Sequence, residues 1–441
     1  MRQILVFGAG RIARPCVQYL LKQENYQVTV VDVDQDNLDR VLQGHPRGKG
    51  RIGNAENAGA LIDELRPNLV MNLLPRPFLT PLARVCLEKE VHMINLSYIT
   101  EEIRELQEKV ASKGLIFLCE LGLDPGIDHM SAAKQVRAIR QRGGTIESFR
   151  SICGALPSHE ANTNPWGYKL SWAPGSLIGA SKRSARIIEN GEILSWPDGE
   201  TYRHPFLEDI ENLGTFEVYA NADSLPYLTA YDIPEAKSIF RGTLRYPGWC
   251  ETIVKMNEID LFDETPQDLQ GMTFASFLRR QIRAREDQDL ESALCGILEI
   301  PSYSAIFLRL QWLGLLDERP LPFSKGSPRD ILSHLYDEKF VFAPEERDLI
   351  ALQDEFTVFY PAEKKRIRHR SLLVDYGTPG GDSAIARTTG LPPAICAKLL
   401  LEGAISTPGI HAPVLPEIYD PALEELVREG VVLQESDEVL S

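Results

Sequence analysis

The chain has 441 residues, 43% of them apolar and 25% charged, and its 47 basic against 63 acidic side chains leave a formal charge of -16. That length exceeds one ordinary core and predicts two or three domains of a soluble globular protein. The acidic balance repels phosphate backbones and anionic membrane surfaces, so neither nucleic acid nor a membrane is expected as a partner, and no stretch approaches the roughly 18 apolar residues of a spanning helix.

Through the first 120 residues, apolar runs alternate with segments of helical spacing. Ile4 to Phe7, Gln27 to Val31, Leu69 to Leu74, His92 to Leu96 and Leu115 to Cys119 read as buried parallel strands. Arg14 to Lys22, Ala58 to Glu64, Pro81 to Glu88 and Glu101 to Ser112 read as the helices between them, so the first domain is predicted to be a Rossmann-type, doubly wound α/β sheet. From about Gly143 longer polar connections with aromatic insertions predict a second α/β domain. Leu269 to Ala284, Ser304 to Leu313, Pro328 to Asp337 and Pro344 to Asp354 predict a helical insertion. Ser371 to Tyr376 reads as a returning strand, and Asp382 to Leu401 as a helix broken near Gly390-Leu391-Pro392.

Seven cysteines (Cys16, Cys86, Cys119, Cys153, Cys250, Cys295 and Cys396) stand singly, without a CxxC pair or a histidine cluster, so buried reduced thiols and no metal site are expected. Cys153 has no histidine beside it to make it a nucleophile, and packing is the expected role. The run Ile4 to Phe7 is too short for a signal peptide, and a cytoplasmic protein is expected.

Gly8-Ala9-Gly10-Arg11-Ile12-Ala13 follows the first strand and opens a helix, giving G-x-G-x-x-A. The first glycine permits a tight turn, the second lets the backbone approach a pyrophosphate, and the helix N-terminus offers N–H groups to the phosphates. Asp32 ends the second strand, where a carboxylate binds ribose hydroxyls and repels a 2'-phosphate, so NAD is favoured and NADP remains open because Arg11 and Arg14 are near. The plain alternative is a tight turn and a strand end without a ligand.

Three polar stretches fall at the ends of later strands, where ligands bind in such sheets: Leu74-Pro75-Arg76-Pro77, Asn95-Leu96-Ser97-Tyr98 and Glu120 to His129. The last of these, with Ser97-Tyr98, Cys153 to Pro157, Asn164 to Trp172 and Arg241 to Tyr246, resembles the saccharopine dehydrogenases of the L-glutamate-forming type, and the likeness runs on to Glu417-Ile418-Tyr419. The resemblance implies an NAD(P)-dependent oxidoreductase acting on the secondary amine of an amino-acid-derived small molecule, and a homodimer. It implies a Rossmann domain of 1–127 plus about 412–441, a substrate and dimerisation domain of 128–265 plus about 370–411, and a helical domain of 266–369.

Carried over by position, Ser97, Tyr98 and Asp124 match substrate-contacting residues, Thr243, Leu244 and Arg245 a second substrate strip, and Lys169 and Arg245 carboxylate partners that could equally be solvated cations. Leu123, Asp124, Pro125 and Ser171, which precedes Trp172, match the cofactor side. Asp124, Asp128 and His129 are the candidate proton-exchanging groups, Asp124 and His129 foremost. Against them stand Asp128 as an N-cap of a helix beginning near Met130, and His129 as a helix-start histidine satisfied by backbone. One position departs from the family. Where it has Asn-Arg-Asp-Ser, with the arginine on a substrate carboxylate, this chain reads Asn221-Ala222-Asp223-Ser224, and Arg76 is the candidate substitute cation. A related carboxyalkyl amine such as carboxyspermidine or carboxynorspermidine, and a non-catalytic NAD-binding protein, are the competing readings.

Overall fold

The computed structural model describes residues 1–171 and 174–440. The chain separates into two compact units, one of residues 1–147, 229–235 and 350–441, the other of residues 148–228 and 236–349.

The first unit begins with β1 (Arg2–Phe7), α1 (Ala13–Lys22), β2 (Tyr26–Asp32), α2 (Gln35–Leu42), β3 (Gly48–Ile52), α3 (Ala58–Leu65) and β4 (Leu69–Asn72). It continues with α4 (Leu79–Glu88), β5 (His92–Asn95), α5 (Glu101–Arg104), α6 (Gln107–Ser112), β6 (Ile116–Leu118) and α7 (Ile127–Gln141). The six strands and a late strand, Gly409–His411, form one parallel sheet in the order Gly409–His411, β6, β5, β4, β1, β2, β3. Ile4 to Phe7 and Leu69 to Met71 are buried, the continuous apolar pattern of strands covered on both faces. The order turns outward in both directions from β1 and β4, and the ends of those strands are where such sheets hold ligands.

Helix Ala384–Glu402 packs on α1. It runs unbroken through Pro392 and Pro393, contrary to the expected break. Gly390 is a notch: a Cβ there would stand 2.6 Å from the Ile12 carbonyl oxygen, so the missing side chain lets the two helices meet. Further strands of this unit, Lys365–Tyr376 and Leu433–Val439, pair antiparallel.

In the second unit Ser238–Arg245 is flanked by the parallel strand Thr145–Pro157 and by antiparallel Gly214–Ala220, which pairs in turn with Phe206–Ile210. Helices Trp249–Glu258, Phe274–Gln281, Leu290–Leu298, Ala305–Leu313 and Pro328–Lys339 follow. Trp166, Tyr168, Trp249, Tyr336 and Phe340 pack edge-on and tilted in its core.

The expected helix Pro344 to Asp354 is overturned: Asp348–Tyr360 is a 13-residue strand, and the helical block ends at Lys339. Residues 350–441 cluster with the first unit, and Gly409 donates its N–H to Leu115 O at 2.8 Å. Strand β3 and helix α2 went unread; β3 (Gly-Lys-Gly-Arg-Ile) is largely exposed and carries no apolar signal.

Candidate active site

The turn after β1 is built as its glycines demand. Gly8 has φ +101°, a conformation that favours glycine, and a Cβ on it would press the Leu73 backbone at 3.2 Å. Its N–H reaches Val31 O at 2.9 Å, and a Cβ at exposed Gly10 would meet nothing within 4 Å, which leaves the approach to its backbone open. Ile12 stands at the N-cap of α1 without a side-chain cap, and Ala13 is fully buried beneath. An uncapped helix start behind an open glycine fits a pyrophosphate. Asp32 binds the turn directly: Oδ2 accepts the Ala9 N–H at 2.6 Å and Oδ1 accepts the Asp34 N–H at 3.0 Å.

Sequence reading missed Arg40 on α2. Its Nη2 donates to the carbonyls of Ala9 (2.6 Å) and Gly10 (3.0 Å), so the turn is held from both sides. Burial, and then the neighbouring Arg14 charge, lower the Arg40 pKa. Arg11 is exposed at the mouth of the turn, and Arg14 is paired with Asp382 at 2.7 Å.

At the ends of β4 and β5 two asparagines do unforeseen work. Asn72 Nδ2 donates to Asn95 Oδ1 at 2.9 Å with both side chains fully buried, while Asn72 Oδ1 accepts from Leu74 N–H and Asn95 Nδ2 donates to Ser97 O. Each strand thereby fixes its own departing loop. The first loop carries Arg76, exposed in a short turn over Arg76–Phe78 and with no hydrogen bond or ion pair among the described residues; the second carries Ser97 and Tyr98.

After β6 the chain makes a tight loop, Gly122 to Gly126, in which Gly122 N–H donates to Pro125 O (2.8 Å), Ile127 N–H to Gly122 O and Asp128 N–H to Leu123 O. The Asp124-Pro125 peptide is cis. Gly126 (φ +148°) admits no side chain, since a Cβ would fall 2.0 Å from Gly122 O. This loop presents Asp124 to the Tyr98 hydroxyl, which donates to Oδ1 at 3.2 Å.

Helix α7 begins at Ile127 rather than near Met130, and buried Asp128 accepts the Gly126 N–H in its first turn. His129 is 1% exposed, with Nδ1 2.7 Å from the Tyr231 hydroxyl and Nε2 2.7 Å from Glu120 Oε2.

In the second unit Lys169 is buried with its ammonium on both Glu346 oxygens at 2.5 Å and on Thr163 Oγ1 at 2.9 Å. It is therefore no solvated cation. Burial alone would raise the Glu346 carboxyl, but the Lys169 contact and the Ala343 N–H win and depress it. Thr243 is half-buried and Leu244 fully buried; Leu244 packs on Gly154, where a Cβ would meet it at 2.7 Å.

Arg245 is buried beside the rings of Tyr168 (5.1 Å) and Trp249 (5.3 Å) and donates to Leu244 O, while its buried Nε has no hydrogen-bond partner among the described residues. Burial works against its charge, but the surrounding Tyr219, Tyr168 and Tyr202 raise its pKa. Ser171 is buried, its hydroxyl without a hydrogen-bond partner among the described residues, and Trp172 lies outside those residues. Ala222 has φ +57°, and its neighbour Asp223 is ion-paired with Arg186.

All seven cysteines are buried, and burial pushes the Cys16 and Cys396 thiols up to about 12. Among the described residues no cluster could hold a metal, and no helix is long and apolar enough to cross a membrane.

A parallel sheet with a glycine turn, an acidic end to its second strand and an open helix start defines an NAD(P)-dependent oxidoreductase. Residues 4–118 match the saccharopine dehydrogenase NADP binding domain and residues 122–431 the saccharopine dehydrogenase C-terminal domain, so the chain belongs to the saccharopine dehydrogenase family. The Schizosaccharomyces pombe saccharopine dehydrogenase [NADP(+), L-glutamate-forming] is 31% identical over 99% of both chains. The mitochondrial alpha-aminoadipic semialdehyde synthase of Bos taurus is 32% identical over 98% of this chain, which spans 47% of that longer protein. The apo L-glutamate-forming enzyme of Saccharomyces cerevisiae superposes with a TM-score of 0.90 at 29% identity, covering 99% of this chain and all of that one.

Proposed function

We propose that the protein oxidises saccharopine: saccharopine, NAD(P)+ and water give L-glutamate, 2-aminoadipate 6-semialdehyde, NAD(P)H and a proton, with the reverse direction serving synthesis. The observation that carries this reading is the Tyr98 hydroxyl on Asp124 at the tip of the Gly122–Gly126 loop, in a chain that L-glutamate-forming enzymes match from end to end. A bound nicotinamide ring supplies the hydride acceptor. Asp124, oriented by Tyr98, contacts the amine and receives its proton, with Ser97 beside it on the substrate side; His129, the second proton-exchanging candidate, faces Tyr231 and Glu120. Gly8, Gly10, Arg11, Ile12, Leu123, Pro125 and Ser171 are the cofactor contacts, and Arg76, Thr243, Leu244 and Arg245 the substrate side; Lys169, expected there too, has its three donors on Glu346 and Thr163 and is left out. Arg76, exposed and with no hydrogen bond or ion pair among the described residues, supports carboxylate binding.

NAD is proposed as the preferred cofactor, although the fungal relatives are named for NADP(+). Asp32 places a carboxylate at the ribose position, and Arg40 is turned into the glycine turn rather than outward. A homodimer in the cytoplasm completes the reading, tested by sedimentation and by cell fractionation.

Ala222 supports one competing reading, a substrate with fewer carboxylates such as carboxyspermidine. Following reduced cofactor at 340 nm with saccharopine and with carboxyspermidine, each with NAD+ and NADP+, decides. Saccharopine turnover with NAD+ is the expected result. Turnover of carboxyspermidine alone overturns the substrate, and tight NADH binding with no turnover of either overturns catalysis.

A further inference from the structure

Glu120 is a non-glycine residue in the left-handed backbone region, φ +60°, where an L side chain crowds its own chain. Such a conformation persists only where the surroundings over-determine it, and here they do. Its N–H donates to Ser97 O (3.2 Å), its Oε1 accepts the Ile99 N–H (2.7 Å), and its Oε2 faces His129 Nε2 (2.7 Å), all within a side chain that is 11% exposed. The two loop contacts fall on the residues immediately before and after Tyr98. Glu120 thus grips the loop on either side of the residue whose hydroxyl orients Asp124. His129, backed by Tyr231 on its other nitrogen, keeps the carboxylate from turning away.

We propose that Glu120, clamped by His129, is the positioning residue that holds Tyr98 against Asp124. Its role is mechanical and is exercised through the loop. This rests on the reading of Tyr98 and Asp124 as substrate contacts, and the test separates the two ideas.

Saccharopine oxidation is measured for wild type, Glu120→Ala, Glu120→Gln, Tyr98→Phe and the Tyr98→Phe/Glu120→Ala pair, with NADH affinity and melting temperature as controls for folding. The displacement of Tyr98 in E120A is expected to lower kcat at least about tenfold with NADH affinity unchanged. E120Q, whose amide oxygen still accepts from Ile99, is expected to stay within about threefold of wild type. In a Y98F background, with the hydroxyl already gone, E120A should cost less than about twofold more, since residues acting as one unit are non-additive. Multiplying effects of Y98F and E120A, or an E120Q as slow as E120A, overturn the proposal. A readout free of substrate is the ¹³Cζ resonance of Tyr98, identified by its loss in Y98F. It should move in E120A and stay in E120Q; an unmoved resonance in E120A overturns the positioning role. Wild type inactive on saccharopine sinks the substrate reading instead, and the resonance still decides the role of Glu120.

Discussion

The nucleotide turn and the Asn221–Ser224 segment are both short loops, yet they teach opposite lessons. At the turn, Gly8, Gly10 and Asp32 lie within 25 residues of one another, and each does there what its chemistry demands. At Asn221–Ser224, where the resemblance leads one to expect an arginine, a left-handed alanine stands at 222. A site made by backbone geometry is locally specified, whereas a site made by one long cation can lose its charge and keep its shape.

Four substitutions break or sharpen that contrast. The largest effect is expected from Lys169→Met, which strands buried Glu346 and should cost about 3 kcal/mol in chemical denaturation. The sign with pH follows from the depressed Glu346 carboxyl. The pair's contribution is present above the ordinary carboxylate pKa and is lost as pH falls through the lowered value, so K169M should show a shallower acid loss of stability. Next, Gly8→Val forces a side chain onto the Leu73 backbone and should weaken NADH binding about 100-fold by fluorescence titration, about 2.7 kcal/mol. Third, Ala222→Arg adds no new backbone strain, because the position already holds an L residue at φ +57°. Through a guanidinium–carboxylate bond it should raise kcat/KM for saccharopine about tenfold. A fall would show that the carboxylate is already bound from elsewhere. Smallest is Asp32→Ser, expected to shift the NADP+/NAD+ ratio of kcat/KM up by several-fold, read from initial rates.

Much of the first unit was legible because β1, the turn and α1 follow one another directly and their apolar runs are continuous. Asp348–Tyr360 was misread because Asp348, Gln353 and Asp354 are buried within a strand and disguise its period, while the Pro-Glu-Glu start mimics a helix N-terminus. At the candidate site, Tyr98 and Asp124 were anticipated through family resemblance, and their hydrogen bond joins residues 26 apart. Arg40 and Glu120 were not anticipated. One acts through carbonyls and the other through a left-handed backbone, and neither feature leaves a mark in residue type. Asn72 and Asn95 carried a faint signal, two strands each ending in asparagine.

The notch at Gly390 has a temporal consequence. On the ribosome, α1 and its glycine turn emerge hundreds of residues before the helix that covers them, and the edge strand Gly409–His411 comes later still. The nascent N-terminal sheet therefore waits, with one flank bare, while the whole second unit is made and folded. A chain cut short after residue 350 would keep the glycine turn and lack both the helix that packs on α1 and the strand that borders β6.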